Sequence, residues 1–149
     1  MRLLLVCNPG GHFSTMMGLK EFWSVHYREW VTYQKFDTDR LRRQEIVHWV
    51  IMQEARMFGR AVINFFHALF IIYQSKPDLV VSTGASLAVP FIFASKLLGI
   101  RTVFVESITR ATVLSLSGKL VYYVADDFYV QWPEFLESLP KAKYQGVVA

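Results

Sequence analysis

Runs of apolar and strand-forming residues recur along the chain and stop at turn residues, which predicts a series of short β-strands. The first run, Arg2–Cys7, has no polar alternation, as is typical of a strand buried on both faces of a sheet. Further strands are expected over 26–33, 46–51, 79–81, 101–105 and 127–131, and one more begins in 145–148. The polar segment 34–44 is expected to be a solvated loop.

Between these strands the apolar spacing changes to three and four residues, which is the period of one helix face. The longest such segment runs over 53–75 without a proline, and its apolar positions are Phe58, Val62, Phe65, Leu69 and Ile72. Shorter helices are expected over 14–22, opened by Ser14 or Thr15, over 91–98 and over 115–122.

Strand and helix alternate along a chain of 149 residues, which predicts an α/β fold. Because βαβ units join parallel strands by right-handed crossovers, we expect a Rossmann-like, mostly parallel sheet with helices on both faces. The length fits one domain, residues 1–149, and is short for a complete two-domain enzyme. With 53% apolar and only 19% charged residues, the chain should have a packed core and an extra apolar face that becomes covered.

Charge and cysteine content narrow the choice of partner and compartment. Sixteen Lys and Arg against twelve Asp and Glu give a net charge of +4, which suits an anionic membrane surface or a phosphate-bearing substrate. No basic stripe with stacking aromatics and no zinc-finger or RNA-binding signature occurs, so no nucleic acid partner is expected. The single cysteine, Cys7, is expected in the core, and it cannot form an internal disulfide, which fits a reducing compartment.

No segment is long and apolar enough to predict a membrane-spanning helix. The longest apolar-rich stretch, Ala61–Tyr73, has about thirteen residues and contains Asn64 and His67, whereas a span needs about twenty. The apolar run after Met1 is too short for a signal peptide. We therefore expect a cytoplasmic protein whose contact with the membrane is peripheral.

Glycine and small polar residues follow three of the expected strands. These loops are Gly10-Gly11-His12, Ser82-Thr83-Gly84 and Glu106-Ser107. In a parallel sheet the carboxyl ends of the strands lie at one edge, so a ligand is expected there. A glycine turn that leads into a helix N-terminus exposes backbone N–H groups to a phosphate or a carbohydrate oxygen.

Four side chains in these loops could carry chemistry, and each also has a structural interpretation. His12 could act as a general base on an acceptor hydroxyl near neutral pH, or it could cap or pack the loop. Glu106 could orient a ligand, or it could accept hydrogen bonds from loop amides. Thr83 and Ser86 are expected to cap helices, because no G-x-S-x-G elbow surrounds them.

Neither a metal nor an organic cofactor is expected. The other histidines, His26, His48 and His67, lie in strand or helix patterns without close carboxylate or cysteine partners. The first glycine loop lacks the G-x-G-x-x-G spacing of dinucleotide-binding proteins and the Lys-Ser/Thr end of a nucleotide P-loop. NAD and ATP are therefore not indicated.

Four groups of residues together resemble a known protein family. They are Gly10–Met16; Pro77–Ala85 with Val89-Pro90 and Ala94–Gly99; Val103–Arg110 with Ser117–Leu120; and Phe128–Glu134. In this order and in a chain of this length, they resemble the bacterial PssD-type polysaccharide biosynthesis proteins. Those proteins are similar in turn to the membrane-recruiting subunit of the eukaryotic N-acetylglucosaminyltransferase that adds the second sugar to dolichol diphosphate.

The resemblance implies the N-terminal, acceptor-side half of a GT-B glycosyltransferase. A separate small protein would supply the half that binds the nucleotide sugar, with the active site in the cleft between the two proteins. The implied acceptor is a lipid-diphosphate-linked sugar at the cytoplasmic face of a membrane. Alone, such a subunit is expected to be nearly inactive.

The likeness also implies roles for individual residues. A single-chain relative that glycosylates lipid-linked muramyl peptide has a glycine pair followed by histidine after its first strand, and a glutamate after a later strand. By that likeness His12 is the candidate general base and Glu106 is a candidate cleft residue. The expected acceptor-binding residues are Gly10, Gly11, Ser14, Thr83 and Gly84.

Two features differ from these relatives, and two other functions stay open. The glycine loop is reduced to Asn8-Pro9-Gly10-Gly11. We also expect no counterpart of the eukaryotic N-terminal membrane anchor, and therefore peripheral attachment through the long helix and nearby basic residues. A scaffold could recruit the transferase without lending a catalytic group. A small self-sufficient hydrolase is disfavoured, because the chain has neither a nucleophile elbow nor a carboxylate pair.

Overall fold

Seven parallel strands form one sheet in a computed structural model that describes residues 1–52 and 58–148. The strands are β1 (Arg2–Val6), β2 (Tyr27–Thr32), β3 (Ile46–Trp49), β4 (Leu79–Ser82), β5 (Arg101–Val105), β6 (Asp127–Val130) and β7 (Ala142–Tyr144). Their spatial order is β3-β2-β1-β4-β5-β6-β7. The chain therefore reverses its direction of travel between β1 and β4, and this switch point is where such sheets bind ligands.

Helices follow the strands and cover both faces of the sheet. They are α1 (Gly11–Gly18), α2 (Lys20–Trp23), α3 (Phe58–Ser75), α4 (Ala88–Leu97), α5 (Leu116–Val121) and α6 (Phe135–Ser138). A short 3₁₀ helix, Asp39–Arg43, lies within the segment predicted to be a loop. The predicted Rossmann-like α/β fold is confirmed, and within the described residues every strand pair is parallel.

Strand β1 packs against helices on both sides, which explains its unbroken apolar sequence. Leu4 and Val6 belong to a cluster with α3 and α4 that includes Phe91. Leu5 points the other way, into a cluster with α1, α2 and the fully buried Trp30. Burying one large apolar side chain contributes about 1.5–3 kcal/mol, so these two layers hold the central strands rigidly.

Cys7 lies in the second of these clusters and is fully buried, as predicted. Burial, with a smaller effect from Asp37, raises the pKa of its thiol far above the usual value. The thiol therefore stays protonated and acts as a small apolar side chain.

Some predicted boundaries are wrong. Helix α1 begins at Gly11 instead of Ser14 or Thr15, because Gly10 has φ +85° and turns the chain directly into the helix. The last strand is Ala142–Tyr144 and not part of 145–148, because residues 142–144 pair with β6. The start predicted for the long helix, 53–57, lies outside the described residues.

Candidate functional site

A cleft opens at the carboxyl edge of the sheet, over the switch point between β1 and β4. It has a volume of about 500 Å³ and is lined by residues from the loops that follow β1, β2, β4 and β5. These loops carry Asn8 and His12, Lys35, Ser86, and Ser107 with Arg110. Two of the three loops predicted to meet at this edge, Gly10-Gly11-His12 and Ser82-Thr83-Gly84, stand side by side across the switch point. Ser107 of the third predicted loop also lines the cleft.

His12 is held by the neighbouring loop. Its Nδ1 lies 2.9 Å from the carbonyl oxygen of Thr83, and the hydroxyl of Thr83 donates a 2.6 Å hydrogen bond to the carbonyl of His12. Since a carbonyl only accepts, Nδ1 carries the proton in this contact, and in the neutral imidazole Nε2 is left as the proton acceptor. His12 thus lines the cleft in the tautomer that a general base requires.

The close contact between these loops depends on Gly84. Its φ is +104°, and a Cβ built there would lie 3.2 Å from Nδ1 of His12. The next residue, Ala85, also has a positive φ of +64° and lines the cleft. A non-glycine residue in this conformation is strained, and such strain is concentrated at binding and catalytic sites.

The glycine pair forms the start of α1. The first helical hydrogen bond runs from the Ser14 N–H to the Gly10 carbonyl at 3.0 Å, so the amides of Gly11, His12 and Phe13 have no acceptor within the helix. A Cβ on Gly11 would meet no atom within 4 Å, so its backbone is open to a ligand. The helix terminus adds partial positive charge, which favours an anion.

An acidic side chain already occupies part of this terminus. The carboxylate of Asp37 accepts a 2.7 Å hydrogen bond from the Gly10 N–H. An anionic ligand would therefore use the amides from Gly11 onward, or it would displace Asp37.

Ser14 lies beside a second cavity and not at a helix cap. This cavity, of about 890 Å³, joins the start of α1 to the loop after β2, and Gly10, Ser14, Lys35 and Phe36 line it. Helix α1 has no side-chain cap, so the capping role expected of Ser14 is not observed.

The cleft is also lined by two cationic side chains that were not among the predicted site residues. Lys35 and Arg110 come from the loops after β2 and β5, and neither forms an ion pair with any residue that the structure describes. Each residue follows a strand that was predicted to end at this edge of the sheet. This position after a strand is the feature of the sequence from which they could have been predicted. Their convergence suits a ligand with two or more negative charges.

Glu106 lies behind the wall of the cleft and is only 1% exposed. Its carboxylate accepts hydrogen bonds from the Ser107 N–H at 2.8 Å, the Ser115 N–H at 2.9 Å and the Ser115 hydroxyl. Ser115 in turn caps α5 by accepting from the Gly118 N–H at 2.9 Å. Glu106 thus ties together both ends of the loop that carries Arg110, which matches the structural interpretation of this residue.

The prediction that Thr83 and Ser86 cap helices is wrong. The N-cap of the following helix, α4, is Leu87, and no side chain caps this helix. Thr83 instead binds His12, and the Asn8 amide donates to the Ser86 hydroxyl at 3.3 Å. The Asn8 carbonyl oxygen accepts from the Leu87 N–H at 3.2 Å. Asn8 was missed as a candidate, yet it fastens the loop after β1 to the start of α4.

Neither a metal site nor a membrane span is found over residues 1–52 and 58–148. No group of three or more His, Cys, Asp or Glu is arranged to hold a metal ion there. In the same residues, no helix combines the length and the apolar character that crossing a bilayer requires.

Residues 3–148 match the family model described as "Oligosaccharide biosynthesis protein Alg14 like". The human UDP-N-acetylglucosamine transferase subunit ALG14 is 43% identical over 82 residues, which cover 51% of this chain and 38% of that protein. The ALG14 subunit of Debaryomyces hansenii is 26% identical over 98% of this chain and 75% of its own length. The chain thus spans less than half of the first curated relatives that it matches.

Solved structures share the fold at low sequence identity. MurG from Acinetobacter baumannii superposes with a TM-score of 0.75 at 18% identity, over 89% of this chain and 42% of that chain. MnaA from S. aureus superposes with a TM-score of 0.77 at 12% identity, over 99% of this chain and 45% of that chain. In both comparisons the sheet and helices described above correspond to less than half of the solved chain.

Proposed function

Because this chain belongs to the Alg14-like family of oligosaccharide biosynthesis proteins, we propose that it is the acceptor-binding and partner-recruiting subunit of a two-component glycosyltransferase. The partner is a separate subunit that binds the nucleotide sugar, and the acceptor is a lipid-diphosphate-linked sugar. The curated relatives are named as subunits of a UDP-N-acetylglucosamine transferase, which supports a separate partner. Two solved GT-B-like neighbours are more than twice as long as the region that this chain matches. Within the family, we assign the chain to the bacterial PssD-type branch.

The observation that carries this proposal is the state of His12 in a cationic cleft. The Thr83 carbonyl fixes the tautomer in which Nε2 is the acceptor. Lys35 and Arg110 line the same cleft without an ion pair in the described chain. A diphosphate next to a sugar hydroxyl would complement both features. Its negative charge suits the two cations, and the hydroxyl offers a proton to Nε2 of His12.

In the transfer step, Nε2 of His12 takes the proton of the acceptor hydroxyl as that oxygen attacks the anomeric carbon of the nucleotide sugar. The new C–O bond forms while the bond from the anomeric carbon to the nucleotide diphosphate breaks, and the diphosphate leaves with the electron pair. The imidazolium that results donates through Nδ1 to the Thr83 carbonyl, which stabilises its charge. We assign Gly11 at the open start of α1 to the acceptor phosphates, with Gly10 and Ser14 lining the adjoining cavity, which shares Lys35 with the cleft. Thr83 and Gly84 are assigned to positioning the base.

Membrane contact is assigned to the outer face of α3. Five of its exposed side chains are apolar or aromatic and follow a spacing of four and three residues: Phe58, Val62, Phe66, Phe70 and Tyr73. Ile63 is also exposed, and the exposed polar side chains of α3 are Arg60 and Gln74. Helices α3, α4 and α5 contain no Asp or Glu, whereas each carries one Arg or Lys. Lys96 of α4 is paired with Asp126, whereas the helices themselves carry no acidic residue. An apolar stripe on such helices suits an anionic bilayer surface at the cytoplasmic side.

The test is transfer by the purified chain mixed with its nucleotide-sugar subunit, a nucleotide sugar and a lipid-diphosphate acceptor. His12→Asn keeps a donor at the position of Nδ1 but has no base, so we expect the rate to fall about 10²- to 10⁴-fold. His26→Asn, at a histidine away from the cleft, should keep the wild-type rate.

Binding of the partner separates this function from the scaffold alternative. The His12→Asn variant should bind the partner with unchanged affinity, because the substitution keeps the contact with Thr83. A wild-type rate for this variant would remove the base role and leave a subunit that only recruits the transferase.

A further inference from the structure

A groove lies between α3 and α4, in the layer of apolar helices that α3, α4 and α5 form on one face of the sheet. It has a volume of about 340 Å³. Helix α3 lines it with Phe58, Ala61, Val62 and Phe65, and helix α4 lines it with Val89, Pro90 and Phe93. All of these side chains are apolar, so the groove offers a ligand no hydrogen-bond donor or acceptor from its side chains.

The groove begins beside the cleft. Its first α4 residue, Val89, lies three residues after Ser86, which lines the cleft, and this distance is less than one turn of helix. Phe58 is the first residue of α3, and both helices start near the carboxyl edge of the sheet where the cleft opens. The cationic cleft and the apolar groove are therefore neighbours on one side of the molecule.

The composition of the layer restricts what the groove can hold. Interfaces between proteins carry about one hydrogen bond per 100–200 Å² and a polar rim. Here the groove side chains are wholly apolar, and the helices that border it contain no acidic residue. Such a surface complements an uncharged hydrocarbon whose other end is anionic.

We propose that the groove between α3 and α4 holds the first part of the hydrocarbon chain of the lipid-linked acceptor. The diphosphate then lies in the cleft with Lys35 and Arg110, and the chain leaves it along the groove toward the membrane. This inference rests on the proposed function, because it assumes that the ligand of the cleft is a lipid diphosphate. It makes this subunit selective for the lipid as well as for the sugar.

The test compares two acceptors with the same sugar and diphosphate, one on a long prenyl chain and one on a short alkyl chain, in the complex with the partner. Ala61→Phe fills the groove from the surface of α3. We expect kcat/KM for the long-chain acceptor to fall about tenfold, the effect of losing roughly two buried methylene groups. The value for the short-chain acceptor should not change.

Two further variants serve as a control and as a second probe. Ile63→Phe places the same ring on the exposed part of α3 outside the groove and should leave both acceptors unaffected. Phe93→Ala removes one wall of the groove and should also reduce the preference for the long chain, so the result does not depend on how well Ala61→Phe folds.

The remaining outcomes decide against the groove or against the function. The inference would be overturned if Ala61→Phe lowered kcat/KM equally for both acceptors or for neither. It would also be overturned if this variant bound vesicles of anionic phospholipid more weakly in the absence of acceptor. If the wild-type complex transfers to neither acceptor, the proposed function fails instead. Direct binding of the two lipid diphosphates to the wild-type and Ala61→Phe chains then decides whether the groove takes the hydrocarbon.

Discussion

His12 and Thr83 exchange two hydrogen bonds across the gap between the loops that follow β1 and β4. One bond fixes the imidazole ring and its tautomer, and the other fixes the backbone from which the ring projects. The imidazole that we propose as the base is therefore oriented before a ligand arrives. Preorganisation of this kind matters because a misplacement of about 1 Å at a reacting group can reduce a rate about 10²-fold.

Gly84 makes this arrangement possible, so Gly84→Ala should damage both stability and transfer. The added Cβ would meet Nδ1 of His12 at 3.2 Å, and φ of +104° is unfavourable for alanine. We expect a loss of about 1–2 kcal/mol in the free energy of unfolding from the backbone alone. Displacement of His12 should lower the transfer rate at least tenfold, measured with the partner present.

Gly99→Ala is the matched control for this effect. Gly99 also has a positive φ, of +73°, but a Cβ there would meet no atom within 4 Å. Its variant should therefore lose similar stability and keep its transfer rate. If both variants lost the same fraction of activity, the contact between Gly84 and His12 would have no role in catalysis.

At the scale of elements, Asp127 joins three strands of the sheet. It lies at the start of β6, and its carboxylate pairs with Lys143 on β7 and with Arg101 on β5. The hydrogen bond from Lys143, assisted by Arg101, holds the pKa of Asp127 below its usual value, although partial burial acts in the opposite direction. The charged form therefore stabilises the folded sheet.

This interaction predicts a pH dependence. Since the folded pKa is below the unfolded one, which is about 4, the stabilisation is complete above that value and is lost as pH falls through the folded pKa. Asp127→Asn should be less stable than wild type at pH 6, and the difference should shrink as pH falls from about 5 to about 2. Urea unfolding at several pH values measures this difference.

Asp39→Asn is the control for that experiment. Asp39 forms an exposed ion pair with Arg42 on the 3₁₀ helix, so its removal should change the free energy of unfolding by less than about 1 kcal/mol. A difference between wild type and Asp127→Asn that does not vary with pH would contradict the role of the Asp127 carboxylate.

The elements also explain how far the sequence could predict this structure. Strands such as β1 and β4 were predictable, because an apolar run between turn residues has few alternatives. Strand β7 was misplaced, because its three residues, Ala142–Tyr144, are too few to form a recognisable apolar pattern. This edge strand is selected by pairing with β6. Local pattern cannot reveal such long-range pairing.

The candidate site was predictable in part for the same reason. Parallel strands end at the same edge of the sheet, so His12 and Gly84 were predicted to lie at one edge. The structure places them side by side there. The environment of Glu106 could not be decided, because its burial depends on how the chain returns at Ser115. The convergence of Lys35 and Arg110 likewise depends on the paths of two separate loops.

The whole molecule presents two different surfaces that the proposed function needs at once. One is the apolar layer of α3, α4 and α5, which has no acidic residue. The other is the carboxyl edge of the sheet, where the cleft opens and where a second half would complete the active site. Because these surfaces adjoin, the proposed membrane-bound acceptor would reach His12 from the apolar layer and the proposed partner would reach it from the carboxyl edge.

Phe36 is the side chain best placed to contact the proposed partner. It is 100% exposed and lines the cavity between α1 and the loop after β2, beside the charged residues Lys35 and Asp37. An aromatic side chain exposed at the rim of such a cavity is typical of an interface anchor. We therefore expect Phe36→Ala to weaken binding of the nucleotide-sugar subunit about tenfold, or about 1.4 kcal/mol, as measured by titration.

Phe66→Ser on the outer face of α3 should have the reverse effect, because this exposed ring belongs to the stripe that we assign to membrane contact and not to the carboxyl edge. It should weaken binding to vesicles of anionic phospholipid and leave the affinity for the partner unchanged, whereas Phe36→Ala should leave vesicle binding unchanged. Val25→Ser, at an exposed valine just before β2, should change neither. If each phenylalanine variant weakened both kinds of binding, the partner and the membrane would share one surface, and the cleft could not be entered from two sides.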